Sequence, residues 1–208
     1  MRGTKHVRHG KYRLALAASA VLLASIAIAP PAEAATAFDN SAPYSASTTL
    51  NHRINYPRFL RFRVGAAGGG ISLVNCNLNA MAPSLGNGTD LACAGGNLGG
   101  GASTVEVKSN AGQIRLTVTT AGALQSGANS IPYSEIKAAT SNANLPSPVL
   151  PAAGGTSASV NVALNAGVVT DRAAVWTYTF DNTTVYPAGT YGGVNVANGR
   201  VTYTASSP

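Results

Sequence analysis

The chain has 208 residues, and its 14 Lys and Arg outnumber its 7 Asp and Glu, for a formal net charge of +7. Charged residues are nevertheless only 10% of the total, well under the roughly 25% of an ordinary soluble domain. That composition excludes a coiled coil, a helical bundle and a charge-rich disordered tail, and the 23 glycines follow no collagen-like period.

In chain order, Arg2, Lys5, Arg8, Lys11 and Arg13 come first without an acid, and residues 14–29 then run apolar without a charge. Pro30, Pro31 and Ala32-Glu33-Ala34 follow. A basic head, an apolar middle and small residues at the end are the layout of a secretory signal. The prolines end its helix, and cleavage is expected between Ala34 and Ala35. The alternative is an uncleaved anchor, although the apolar run falls short of the roughly 20 residues that span a bilayer. No Arg-Arg pair marks a twin-arginine signal, and no Cys near residue 35 marks lipidation. The expectation is export by the general secretory route to the periplasm, cell surface or medium, with no membrane segment after cleavage. Most of the charge imbalance leaves with residues 1–34: nine basic residues and six acids remain. Residues 35–208 suffice for a single domain with one core.

Period-two alternation recurs through the rest of the chain, and no helical stripe survives. Leu60, Phe62 and Val64 alternate with Phe59, Arg61 and Arg63. Arg61 and Arg63 share the outer face of that strand and form the candidate polyanion surface. A solvated face that discourages edge-to-edge aggregation is the competing reading, and the favoured one. Gly-rich connectors at 65–70 and 95–101 flank Cys76 and Cys93, which in an exported chain are expected to form a disulfide. Closing that short loop is worth about 3 kcal/mol on chain entropy. Val105 and Val107 make the next strand, and Ile114, Leu116 and Val118 the one after. Residues 108–112 between them read as a tight hairpin, with Gly112 free to take positive φ.

The Pro-rich stretch 141–155, with Pro146, Pro148 and Pro151, reads as a long crossover between two sheets of one domain. Val160, Val162 and Leu164 alternate next, then Trp176, Tyr178 and Phe180, whose shared parity reads as a core face. Tyr186 and Tyr191 fall in the turn-rich 185–193 and are the candidate glycan contacts. Asn198-Gly199 is a hairpin signal leading into a last strand through Val201 and Tyr203. Roughly nine short strands separated by turns predict an all-β, antiparallel β-sandwich.

Catalytic material is thin. A Ser-His-Asp site would have to use His52, and no Gly-x-Ser-x-Gly elbow presents a nucleophile. The six acids (Asp39, Asp90, Glu106, Glu135, Asp171 and Asp181) include no close pair on one strand face. A secreted hydrolase is the third reading, behind a structural or adhesive protein and a carbohydrate-binding module. No enzyme activity, cofactor, metal or nucleic-acid partner is expected.

The motif Pro187-Ala188-Gly189-Thr190-Tyr191 and the closing strand from Arg200 to Ala205 resemble the end of bacterial pilin-like domains, of the spore-coat-U and chaperone–usher fimbrial types. The resemblance implies an immunoglobulin-like sandwich that assembles by strand exchange. Its partners would be other fimbrial-like subunits or a periplasmic chaperone, and the candidate donor strand is 35–49. Close spacing of Cys76 and Cys93, and the tail 206–208, depart from that pattern. The leading expectation is a secreted or cell-surface structural or adhesive protein that is not catalytic. The alternative is a carbohydrate-binding module acting on surface glycans through Tyr186 and Tyr191.

Overall fold

Alternation in the sequence becomes alternation in burial. Along Thr170–Phe180 the even-numbered residues from Ala174 to Phe180 are buried, and Asp171, Ala173, Val175 and Thr177 are exposed. The computed structural model describes residues 36–68, 70–96 and 98–208. The expected signal segment and its expected cleavage point between Ala34 and Ala35 lie outside them. The chain divides into two units, Met1–Ile54 and Asn55–Pro208. Of the first, residues 36–54 carry no helix or strand and are almost entirely exposed.

Asn55–Pro208 holds eleven strands: β1 (Leu60–Val64), β2 (Leu91–Ala92), β3 (Ala102–Ser109), β4 (Ile114–Thr120), β5 (Leu124–Ser126), β6 (Asn129–Ile131), β7 (Ile136–Thr140), β8 (Gly155–Thr156), β9 (Val160–Val162), β10 (Thr170–Phe180) and β11 (Val201–Ser206). Three 3-10 turns complete the described secondary structure, with no α-helix among the described residues. The strand count exceeds the expected nine, and two- and three-residue strands such as β2, β5, β6 and β8 are too short to show a period.

Two antiparallel sheets face each other. In the first, β1 pairs with β3, β3 with β10, and β10 with both β7 and β2. In the second, β4 lies between β11 on one side and β8 and β9 on the other. Val105, Val107, Trp176, Tyr178 and Phe180 of the first sheet pack against Ile114, Leu116 and Val162 of the second. Trp176 and Tyr203 meet across the layers with ring centroids 5.2 Å apart. This is the antiparallel β-sandwich expected from the strand pattern.

Two local expectations change. Residues 108–112 do not close a hairpin, because β3 belongs to the first sheet and β4 to the second. They turn the chain from one layer to the other, with Gly112 at φ 93°. Asn198-Gly199 does form a tight turn, in which Ala197 and Asn198 take positive φ (47° and 58°) and the Gly199 N–H donates to the Val196 carbonyl at 2.8 Å. Residues 181–200 carry no strand, so the turn delivers the chain into β11 without pairing two strands. The stretch 141–154 does cross from β7 in one sheet to β8 in the other. It is anchored to the core where the Trp176 Nε1–H donates to the Leu145 carbonyl (3.2 Å) and the Thr140 hydroxyl to the same oxygen (2.9 Å).

Candidate interaction edges

The first sheet ends at β1 and the second at β11, and neither strand has a partner on its far side among the described residues. Register settles which backbone groups face outward. The Gly65 N–H donates to the Thr104 carbonyl (2.9 Å) and the Asn110 N–H to the Phe59 carbonyl (3.4 Å). Bonded and non-bonded pairs alternate along an antiparallel ladder. With Arg61 opposite Lys108 and Arg63 opposite Glu106, the odd residues of β1 therefore bond to β3. The N–H and C=O of Leu60, Phe62 and Val64 point away from it.

The same reasoning applies to β11. The Val118 carbonyl accepts from the Ser157 N–H (2.8 Å), and the Val118 N–H donates to the Ser157 hydroxyl (3.1 Å). Both backbone groups of Val118 thus face β8, and Tyr203, its opposite on β11, receives no bond from it. Val201, Tyr203 and Ala205 present their N–H and C=O outward. Of these residues, Phe62, Val64, Tyr203 and Ala205 are half-buried against the main core and Val201 against a smaller cluster, while Leu60 is exposed. Strands β1 and β11 approach within 8 Å at Cα without pairing. Two open backbone rows, each backed by apolar side chains, therefore flank one side of the sandwich.

The other ends of the sheets are β7 in the first and β8 and β9 in the second, and the first of these is tethered by side chains. Cys76 and Cys93 form the expected disulfide. Asn182, fully buried after β10, accepts from the Gly86 N–H (2.8 Å) and donates to the Ser84 carbonyl (2.7 Å) and to Asn87 Oδ1 (2.9 Å). The Lys137 ammonium reaches Asp90 (2.8 Å) and Asp181 (3.0 Å). These bonds raise the Lys137 pKa above its ordinary value, Asp90 contributing most, and the Lys137 bond holds the Asp181 carboxyl below the usual range.

Arg61 and Arg63 do share the outer face of β1, but they are not equivalent. Arg63 Nη2 bonds Glu106 Oε1 at 2.7 Å, which neutralises half of the candidate polyanion surface. Arg61 is exposed and lies opposite Lys108, whose ammonium is 3.5 Å from Asp171. Tyr186 and Tyr191 are half-buried against the core. The Tyr186 ring meets Phe180 edge-on at 6.4 Å, and burial, with the neighbouring Glu135, raises its hydroxyl pKa. The Tyr191 hydroxyl donates back to the Pro187 carbonyl at 2.7 Å, so the 187–191 motif is a turn locked by its own tyrosine.

Inside the sandwich, hydroxyls of Ser103, Tyr178 and Tyr203 form a chain with 3.3 Å steps, and burial drives the Tyr203 pKa well up. Tyr133 donates to the Asn198 carbonyl (2.7 Å), and burial pushes its hydroxyl to about 12. Three of the six acids serve ion pairs with Lys137 or Arg63, and a fourth, Asp171, lies beside Lys108. Asp39 and His52 both fall in 36–54. Asp39 accepts from the Ser41 and Ser45 N–H groups (3.0 and 2.8 Å), which lowers its pKa. Among the described residues no three His, Cys, Asp or Glu side chains gather to hold a metal ion.

The sequence pattern located β1 and β11 but carried no sign that both would be edges of one gap, since that depends on which strands each one pairs with. Comparison with family models, with curated proteins and with solved structures finds no match to this chain.

Proposed function

We propose that this is an exported, pilin-like structural or adhesive protein that is not catalytic and joins its partners by strand pairing at β1 and β11. One observation carries the reading: Leu60, Phe62, Val64, Val201, Tyr203 and Ala205 present unpaired backbone groups outward, while all of them but the exposed Leu60 turn apolar side chains inward. A strand laid along either edge gains main-chain hydrogen bonds, and apolar side chains at alternate positions find a surface to cover. Nothing in the ion pairs or buried hydroxyls requires chemistry beyond holding the sandwich together.

The natural occupant is an extended segment like 36–54 from another copy, with a fimbrial-like subunit or a periplasmic chaperone as the alternative source of the strand. Phe38, Tyr44, Leu50 and Ile54 are all strongly exposed and all even-numbered, so in an extended chain they line one face. Ala42 and Ala46 fall on that same face. The disulfide and the signal segment fit assembly outside the reducing cytoplasm.

The test adds a synthetic peptide of residues 36–54 to the full chain and follows thermal unfolding and amide exchange. The expected result is a rise in Tm and new protection at Leu60, Phe62, Tyr203 and Ala205, absent with a scrambled peptide. A chain that stays monomeric at every concentration, with both edges unprotected by the peptide, overturns the proposal.

A further inference from the structure

We propose that a hollow beside the N-terminal end of β10 binds a pyranose ring of a glycan. The site is distinct from the strand edges and does not depend on strand pairing. Its first ingredient is a pair of aromatic rings left in water. In Asn55–Pro208, Trp176, Tyr133, Tyr178 and Phe180 are buried, and Phe62, Tyr186, Tyr191 and Tyr203 are half-buried against the core. Tyr56 and Phe59 alone among this unit's aromatics are exposed, at 72% and 38%. Their centroids are 6.1 Å apart at 66°.

These rings stand on a backbone that is already held. Asn110 Oδ1 accepts from the Phe59 N–H (2.9 Å) and Asn110 Nδ2–H donates to the Pro57 carbonyl (2.9 Å). The Ser109 hydroxyl donates to the Phe59 carbonyl at 2.9 Å. A fixed platform loses little entropy when a ligand settles on it. The hollow of about 410 Å³ that these rings line is also lined by Lys108 and Asp171, whose charged atoms are 3.5 Å apart. Thr170, which also lines the hollow, keeps a buried Oγ1 with no hydrogen-bond partner. That volume falls within the roughly 300–1,000 Å³ of small-molecule sites.

The geometry selects the ligand class. Rings at 66° offer one face and one edge, not the two parallel faces that would clamp a flat heterocycle. The Asp171 carboxylate opposes a phosphate or sulfate. A pyranose has a C–H face to lie on an aromatic ring, and hydroxyls at its rim that donate to a carboxylate and accept from an ammonium. Those are the groups present.

Saturation-transfer NMR on the full chain with the methyl glycosides of glucose, galactose, mannose and N-acetylglucosamine tests the assignment. At least one probe is expected to receive saturation at its ring C–H protons. Tyr56→Ala and Asp171→Asn should each weaken its affinity about tenfold, the effect of losing one well-made contact, while Tyr191→Phe leaves it unchanged. Both substituted residues are exposed, and matching melting curves establish that the variants fold. Silence from all four probes at about 10 mM, ten times a millimolar dissociation constant, overturns the site. So does binding that both substitutions leave intact. Neither result bears on strand addition, which is read from the edge amides.

Discussion

At the C-terminal end of β10, Trp176 donates to Leu145, Tyr178 shares hydroxyl contacts with Ser103 and Tyr203, and Asn182 ties down the 84–88 turn. At its N-terminal end Thr170 keeps a buried hydroxyl with no partner, Asp171 is exposed, and two aromatic rings stand in water nearby. The two ends belong to one strand, so local propensity does not separate them. What separates them is the company each keeps. The C-terminal end lies between β7 and β2 beside the disulfide loop, and the N-terminal end lies toward β3 and the edge strand β1. The C-terminal end thus carries the tethers that serve stability, and the N-terminal end carries the proposed glycan site.

The largest test removes the disulfide. Cys76→Ser with Cys93→Ser should cost about 3 kcal/mol, the entropy of a loop this short, read from urea unfolding. A loss under about 1 kcal/mol would mean that the C-terminal end of β10 does not depend on its covalent closure. Asn182→Ala comes next, at about 1–3 kcal/mol, because the Gly86 N–H and Ser84 carbonyl lose their partner in a buried site. An unchanged urea midpoint would show that the 84–88 turn is held by other means.

The Lys137 ion pairs add a smaller, pH-dependent contribution. Asp181 has a lowered folded pKa, so its contribution is present above the unfolded value of 3.8 and is lost as pH falls through the folded one. Lys137 has a raised folded pKa, so its contribution is present below 10.5 and is lost as pH rises through the folded value. The difference in urea midpoint between the native chain and Lys137→Gln should therefore be visible near neutral pH and vanish at both extremes. A difference that persists at low pH breaks the assignment. The smallest effect is expected at the open end. Thr170→Val replaces an unpartnered hydroxyl with a methyl of similar shape and should leave stability equal or higher, with no loss. A loss above about 1 kcal/mol would show that the hydroxyl is engaged, and the contrast between the two ends of β10 would fail.

Much of the fold was legible from alternation. Val105, Val107, Ile114, Leu116, Val118, Val162 and Trp176 are all fully buried, as their parity requires, because period two leaves a strand only two faces to choose between. The pairing of Cys76 with Cys93 was legible for a similar reason, since two cysteines allow one connection. Short strands were not legible: the hairpin of β5 and β6 pairs three residues a side, too few to show a period. The 108–112 turn joins two sheets instead of closing a hairpin, because a turn is a local geometry, whereas the sheet a strand joins is decided by partners far along the chain.

Among the candidate sites, Arg63 illustrates the same limit. Its outward parity was evident, but its neutralisation by Glu106 follows from β1 lying in register beside β3, a relation across forty-three positions. Tyr186 and Tyr191, in a turn-rich stretch, are folded back against the core. Tyr56 and Phe59 carried no sequence signal at all, since an isolated Tyr-x-x-Phe is ordinary until Lys108 and Asp171 are brought into the same hollow.

The sequence by itself determined the faces of the strands, the disulfide and the two-layer architecture, because each follows from a short-range period or from a count with one solution. Tertiary structure alone decided which strands are edges, which charges are neutralised and where aromatic rings remain in water. Those properties belong to neighbours, and neighbours in an antiparallel sandwich are set by long-range pairing whose register no local window contains.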